Sequence, residues 1–428
     1  MSRAIRRLAF LFLAGGLAVM AARTGMSTGG TDVRLDDRLN IGADDGAGPR
    51  FAWKRLSTES GELPMTNGGR EQTASLVADV DGDGIGDVFI ADRSVAPSLI
   101  ALVREGDGWR RHVIDAGPLG IEAGSAAHDV DGDGDLDVVF GGESRSNEVW
   151  WWENPHPDLR PDRPWTRRTI KRSGGTKHHD LLFADVDGDG RVELVFWNQG
   201  SQGLFYAEIP DDPRSAEEWA IRPIYRYAVD GEMEPRASYP GWRGTHEHEG
   251  LAVADMNGDG RPDVVGGGRW FEYRDGRFVE HIIDAGYTFT RAAAGQLVEG
   301  GRPEVVLVVG DGVGPLVLYE WREGVWKSTV LLDEVDNGHT LEVVDFDEDG
   351  HLDVFNAEMR FGDGNPDAEV RILLGDGRGR FRTHVVARGF GVHEGRLADL
   401  DGDGDLDVLG KPYSWKAPLL NIWLQENE

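Results

Sequence analysis

The sequence predicts an all-β chain folded as a seven-bladed β-propeller, its ring closed by the N-terminal strand. Three observations carry that expectation. An Asp- and Gly-rich loop recurs six times along the 428 residues, about once every fifty. A seventh, degenerate copy lies between the fourth and fifth of these. A strand pattern missing from the last unit stands instead at the front of the folded region, as Phe51-Ala-Trp-Lys-Arg-Leu56.

The first loop carries oxygen side chains at Asp79, Asp81, Asp83 and Asp87, positions 1, 3, 5 and 9. The pattern returns at Asp129, Asp131, Asp133 and Asp137, and at Asp185, Asp187, Asp189 and Glu193. It returns again at Asp255, Asn257, Asp259 and Asp263. The last two copies are Asp345, Asp347, Asp349 and Asp353, then Asp399, Asp401, Asp403 and Asp407. A hard cation needs several oxygens at about 2.4 Å, and the interleaved glycines permit the tight turn that converges them. The spacing is that of the first half of an EF-hand loop, without its closing Glu and with strand-forming residues on both flanks. Up to six structural calcium ions are expected. In the degenerate copy Gln296, Val298 and Gly300 replace the carboxylates, so that loop is expected to turn without metal.

Each unit reads as four strands. In the first, an apolar strand at 74–78 enters the loop, a second at 88–91 leaves it, and a third covers 99–103. The fourth has a recurring pattern, seen in Trp109–Ile114, Trp165–Ile170, Phe278–Ile283 and Phe381–Val386. The last unit stops after a third strand at 419–424, and Phe51–Leu56 supplies its fourth. Closure of this kind removes the exposed edges of an open array.

Composition narrows the function. There is no cysteine, so disulfides, Cys-ligated zinc and thiol nucleophiles are excluded. The net charge of −31 argues against a nucleic-acid partner. Arg3, Arg6 and Arg7 precede an apolar run from Leu8 to Met20, followed by Ala21 and Ala22. Residues 1–22 therefore read as a secretory signal peptide, 23–50 as a flexible linker and 51–428 as the propeller. Export to the periplasm or medium is expected, with no membrane span after cleavage.

The histidines gather in one register. His178, His179, His246, His248, His339 and His393 all stand six to nine residues before position 1 of a loop, at the start of an innermost strand. Glu249 shares the offset of six with His179, His339 and His393. Innermost strands surround the channel, so these residues should meet on the face opposite the Asp loops. His179, His248, His339 and His393 are the candidate ligands of a transition metal, zinc by preference. Connections on the same face bring Trp197, Arg269, Trp270, Glu358 and Arg360, with Trp242 on the long segment 225–249. Aromatic rings beside hydrogen-bonding groups suit a small saccharide.

The Asp loops resemble the FG-GAP/VCBS repeats of integrin-like propellers, which implies the fold and calcium. A narrower likeness lies in Lys177-His-His-Asp180, Gly244-Thr-His-Glu-His-Glu-Gly250, Gly266-Gly-Gly-Arg-Trp270, Asn337-Gly-His339, Asn356-Ala-Glu-Met-Arg360, Gly391-Val-His-Glu394 and Gly410-Lys-Pro-Tyr413. These segments resemble the propeller domain of aldos-2-ulose dehydratases. That resemblance implies zinc-dependent dehydration of a keto-sugar such as 1,5-anhydrofructose. The cupin domains of the fungal enzyme have no counterpart in these residues. Elimination beside a carbonyl needs an electrophile, a base and an acid. The base candidates are His178, Glu249 and Glu394, and the acid candidates Tyr413 and Lys411. The competing readings are a lyase or hydrolase of other oxidised or acidic saccharides, and a non-catalytic propeller for carbohydrate or protein adhesion.

Overall fold

The computed structural model describes residues 51–227, 247–287 and 289–426. The expected signal peptide and linker, and Trp242 and His246 of the long segment, lie outside the described residues. Among these, seven four-stranded antiparallel sheets follow one another along the chain. In the first, Gln72–Ala78 is innermost, followed by Asp87–Asp92, Leu99–Glu105 and Gly108–Asp115. Innermost strands of blades one to three are neighbours in that order, as are those of blades four to seven, and blade seven meets blade one.

Residue type explains the layering. Innermost strands are crowded round the axis and use small side chains, as in Ile121–His128 (IEAGSAAH) and Thr290–Gly295 (TRAAAG). Second strands have a blade on either side and are buried throughout. Glu193–Asn198 (ELVFWN) and Glu304–Val309 (EVVLVV) show the unbroken apolar run this requires. Each fully buried Val, Leu or Phe contributes about 1.5–3 kcal/mol. Outermost strands such as Gly108–Asp115 mix buried and exposed positions.

The ring closes as the sequence predicts. Ala52–Ser57 pairs antiparallel with Asn421–Glu426, from Ala52 opposite Glu426 to Ser57 opposite Asn421. Arg55 Nε donates to Asn421 Oδ1 at 2.8 Å, and Trp53 Nε1 donates to His384 Nε2 of blade six at 3.0 Å. The N-terminal strand is thus tied to two blades. The third strand of the last blade starts at Asn421 rather than 419, because Leu419 N is already bonded to Lys416 O in a turn.

The Asp loops are built into the core at two points. Position 2 is a buried apolar plug in every copy: Val80, Val130, Val186, Met256, Leu297, Phe346 and Leu400. Position 9 is a buried carboxylate that accepts the backbone N–H of position 2. Val80 N meets Asp87 Oδ2 at 3.1 Å, Phe346 N meets Asp353 Oδ2 at 2.8 Å, and Leu400 N meets Asp407 Oδ2 at 2.8 Å. The other oxygen accepts from the third strand, as Arg104 N to Asp87 Oδ1 at 2.8 Å. The degenerate loop keeps the device one residue further on, with the N–H of position 3, Val298, on Glu304 Oε2 at 2.9 Å. Its Gln296 amide donates to Val298 O and Gly300 O, bridging the turn from within.

Candidate functional site at the start of the innermost strands

Six residues before position 1, the seven blades present Thr73, Ala123, His179, Glu249, Thr290, His339 and His393. One residue further they present Ala74, Gly124, Asp180, Gly250, Arg291, Thr340 and Glu394. At this second position the backbone is left-handed in four blades: φ is 107° at Gly124, 45° at Asp180, 81° at Gly250 and 57° at Glu394. Glycine takes that conformation freely, whereas a side chain costs about 1–2 kcal/mol. The two acids that bear the strain converge on one cation. Arg291 donates through Nη1 to Asp180 and through Nη2 to Glu394. Blades three, five and seven are thereby strapped together.

The strap extends on both sides. Arg396 Nη2 reaches Glu394 Oε2 at 2.7 Å, and Gly250 N donates to Asp180 Oδ2 at 3.0 Å. His179 Nδ1 stands 2.8 Å from the same Asp180 oxygen, and its Nε2 stands 3.2 Å from Glu249 Oε1. Both ring nitrogens thus face carboxylates, the setting of an imidazolium. Burial opposes that charge, but Glu249 and Asp180 outweigh it and raise the His179 pKa. Burial would raise Asp180 too, yet Arg291 and His179 hold it well below the usual carboxylate range. Glu249 has weaker compensation, and burial pushes it up to about 7.

A second group faces this strap. A file of rings runs inward from exposed Phe361 through Tyr413, His393 and His339 to Phe289, with centroids 6.0, 5.3, 4.9 and 6.4 Å apart in turn. Lys411 is fully buried, and its Nζ lies 2.7 Å from Gln72 O, 3.3 Å from Thr73 O and 3.2 Å from His393 Nδ1. His393 Nδ1 is therefore an acceptor, which leaves the proton of the neutral ring on Nε2. Burial and the neighbouring Lys411 press the His393 pKa well down. His339 Nε2 donates to Asp311 Oδ1 at 2.9 Å. Its Nδ1 then carries a lone pair, buried and without a hydrogen-bond partner. Burial lowers the His339 pKa against the pull of Asp311, so the ring is a neutral base.

Several buried polar atoms in these inner strands and beside them lack a hydrogen-bond partner: His339 Nδ1, Arg291 Nε, Glu249 Oε2, Gln199 Oε1 and both nitrogens of His248. Buried polar atoms are normally satisfied, and a cluster of exceptions marks a place where water or a polar ligand belongs.

Several sequence expectations are corrected. His178 does not join the site. Its Nδ1 donates to Gly142 O at 3.0 Å and its Nε2 accepts from Asn198 Nδ2 at 3.1 Å, so it ties blades two and three. Strand alternation, which turns it away from His179, is the reason. Glu394 has both oxygens engaged by guanidinium groups, those of Arg291 and Arg396. Lys411 orients His393 instead of reaching outward. His179, His248, His339 and His393 do not converge. His179 is engaged by two carboxylates, and His393 Nδ1 by Lys411. His248 is packed between Trp197 and Tyr227, with centroids at 5.5 and 3.8 Å. Among the described residues, the groups of three or more His, Asp or Glu with ligand atoms within 4.8 Å of one another all lie in Asp loops. The histidines therefore do not fit a preformed transition-metal centre.

The expected sugar platform is largely structural. Trp197 is fully buried and donates Nε1 to Gly250 O at 2.8 Å. Trp270 is buried and stacks on His281 at 3.9 Å. Glu358 staples its loop by accepting Asp336 N at 3.0 Å and Glu369 N at 2.9 Å. Arg269 bonds Glu280 and Gly267 O. Arg360 bonds Gly364 O and Gly389 O and lies 4.2 Å from the Trp415 ring centroid. Tyr413 remains half-buried beside the site, where burial raises its pKa and keeps it a phenol. Sequence reasoning missed Arg291, Asp311 and Arg396. Arg291 alone carried a signal: a cation in an otherwise small-residue inner strand, in register with Asp180 and Glu394.

On the opposite face, ligand oxygens cluster at Asp79, Asp81 and Asp87; Asp129, Asp131 and Asp133; Asp185, Asp187, Asp189 and Glu193; Asp345, Asp347 and Asp353; and Asp399, Asp401 and Asp407. All donors are hard oxygens, which suits a hard divalent cation. The fourth loop is not among these clusters. Asn257 replaces a carboxylate there, and Arg261 holds Asp259 at 2.8 Å.

The fold defines the class, a seven-bladed β-propeller, and within it residues 129–208 match the family model of the FG-GAP-like repeat. Among curated proteins, the chain is 22% identical over 313 residues to "Rhamnogalacturonan endolyase YesW" of Bacillus subtilis strain 168, covering 61% of this chain and 48% of that protein. It is 22% identical over 343 residues to "Cartilage acidic protein 1" of Xenopus tropicalis, covering 72% and 50%. The chain thus spans about half the length of the curated relatives it matches. The crystal structure of rhamnogalacturonan lyase YesW superposes with a TM-score of 0.46 and 15% identity, over 84% of this chain and 74% of that one. Among the described residues, no helix is long and apolar enough to cross a membrane.

Proposed function

We propose that this propeller is an exported carbohydrate lyase that dehydrates a keto-sugar such as 1,5-anhydrofructose by β-elimination. The single observation that carries the reading is the cluster of unpaired buried polar atoms round Arg291, His339 and Glu249. The similarity to a polysaccharide lyase supports the reaction class. The basic and apolar N-terminal segment supports export.

The residues divide the work by their protonation. Arg291 has given its terminal nitrogens to Asp180 and Glu394, and its Nε–H is free to receive the enolate oxygen. His339 Nδ1 takes the proton α to the carbonyl, with Asp311 fixing the tautomer. The C–H pair becomes the new C=C bond. The β C–O bond breaks, and the Tyr413 phenol returns a proton so that water leaves. The Asp loops would hold calcium as counter-charge for their crowded carboxylates and take no part in the chemistry.

Incubation with 1,5-anhydrofructose and with 3-keto-glycosides, following enone absorbance, tests the proposal. Turnover is expected to survive brief chelation of transition metals. His339→Gln is expected to lower kcat about 10²–10⁴-fold, the range for loss of a general base. Asp311→Asn should lower kcat less and shift the limb of the pH–rate profile that reports the base. Absence of turnover on both substrate classes would sink the proposal.

A further inference from the structure

We infer that the second Asp loop is a cation site occupied by the protein's own Arg214, so that a divalent cation enters it only by displacing a guanidinium. The inference rests on the reading of the Asp loops as calcium sites. Arg214 stands on the connection between the third and fourth strands of blade three, Gly203–Glu208 and Ala220–Arg226. From there it reaches across to blade two. Its Nη2 lies 2.7 Å from Asp131 Oδ2 and 2.6 Å from Asp133 Oδ2, at loop positions 3 and 5. Its Nε lies 2.9 Å from Glu153 Oε1. Two carboxylates meant to converge on a metal converge on one nitrogen instead.

A second observation points to a missing ligand at the same spot. The Asp131 side chain is 1% exposed, yet neither of its oxygens has a hydrogen-bond partner. A guanidinium is planar and donates in fixed directions, so Arg214 hydrogen-bonds Asp133 and leaves both oxygens of Asp131 without a hydrogen bond, close as Nη2 lies to one of them. A spherical divalent ion within the loop could be reached by both. The backbone is already shaped for one: Asp133 N and Gly134 N donate to Asp129 at 3.0 and 3.1 Å, as Asp83 N and Gly84 N do to Asp79 at 3.2 and 2.9 Å in the first loop. Among the described residues, the position-3 and position-5 acids of the first, third and seventh loops take part in no ion pair, unlike those of the second. The Arg214 head can withdraw without losing every partner, because Glu153 also holds it.

Calcium titration of the chelated full chain, by calorimetry and by ion counting after gel filtration, tests this. The wild type is expected to show a tight class of sites and one weaker site. Arg214→Gln should move that site into the tight class, a gain of about tenfold or more in its affinity, since a charged competitor is removed. Arg172→Gln is the control: Arg172 pairs with Glu217 of the same connection, with Nη2 at 2.6 Å, but touches neither Arg214 nor a loop acid, and its titration should match the wild type. If Arg214→Gln leaves the titration unchanged, the inference is wrong while the calcium reading stands. If no variant binds calcium, the calcium reading fails and takes the inference with it.

Discussion

Replacing Arg291 with alanine is expected to destabilise the propeller by about 3–5 kcal/mol, the range for removing one partner from a buried ion cluster. Asp180 and Glu394 would then face each other without the cation that neutralises both. Both also sit in left-handed backbone, at φ 45° and 57°, and that strain would persist with nothing to offset it. Arg291→Lys should recover only part of the loss. An ammonium is one point charge and cannot fork between acids on two blades.

The pH dependence separates this account from simple loss of packing. In the wild type Arg291 depresses the Asp180 pKa. A depressed carboxylate contributes stability above its unfolded value and loses it as pH falls through the folded one. Both values lie below pH 5, so this group should leave wild-type stability level between pH 5 and 8. In Arg291→Ala the largest depressing charge is gone, while His179 and the Gly250 N–H still act on Asp180 against burial. The Asp180 carboxyl is then held less far down than in the wild type, so the gap in stability between the two proteins should narrow as pH falls from 8 towards 5. Urea unfolding at three pH values in saturating calcium reads this out. Parallel curves for the two proteins would show that Arg291 is merely packed, and the ionic strap would have to be abandoned.

The fold was legible because its signals are local and repeated. An Asp at position 1, an apolar plug at position 2 and a buried acid at position 9 recur within nine residues, so seven loops announce seven blades. Ring closure was legible because Phe51–Leu56 repeats an outer-strand pattern. The site was legible only in its register. His179, Glu249, His339 and His393 share an offset, and the structure does bring them to one end of the inner strands. Their partners were not legible. Arg291 meets acids 111 and 103 residues away, and only a shared register marks those pairings along the chain. Histidines in one register suggested a metal, whereas their second nitrogens are taken by Asp180, Lys411 and Asp311, residues of ordinary appearance. Trp197 and Trp270 misled for a related reason. A strand between two blades is buried on both faces, so an aromatic at its end has no open side to offer a sugar.

Calcium removal should show the largest effect of all. Burial pushes Asp87 and Asp353 up to about 7, and Asp137 and Asp407 to about 8, in loops without a cation. A carboxyl raised in the folded state contributes stability below its unfolded value, and that contribution is lost as pH rises through the folded one. On these groups the chelated protein should be most stable near pH 4 and weaken progressively up to pH 8. Calcium reverses this, because a divalent ion favours the charged form of the same groups. Each loop filled at a thousandfold excess of free calcium over its Kd adds about 4 kcal/mol. Four loops filled together should raise the melting temperature by on the order of 20 °C at pH 8. The gain should shrink towards pH 5, where the ion competes with protons. Calorimetric melts with calcium and with chelator, at pH 5.5 and pH 8, supply the four values needed. The degenerate fifth loop predicts its own exception: Gln296 bridges the turn without a metal, so Gln296→Ala should destabilise the chelated and calcium-loaded proteins equally. A calcium effect as large at pH 5.5 as at pH 8 would mean that the buried position-9 acids are not what the ion relieves.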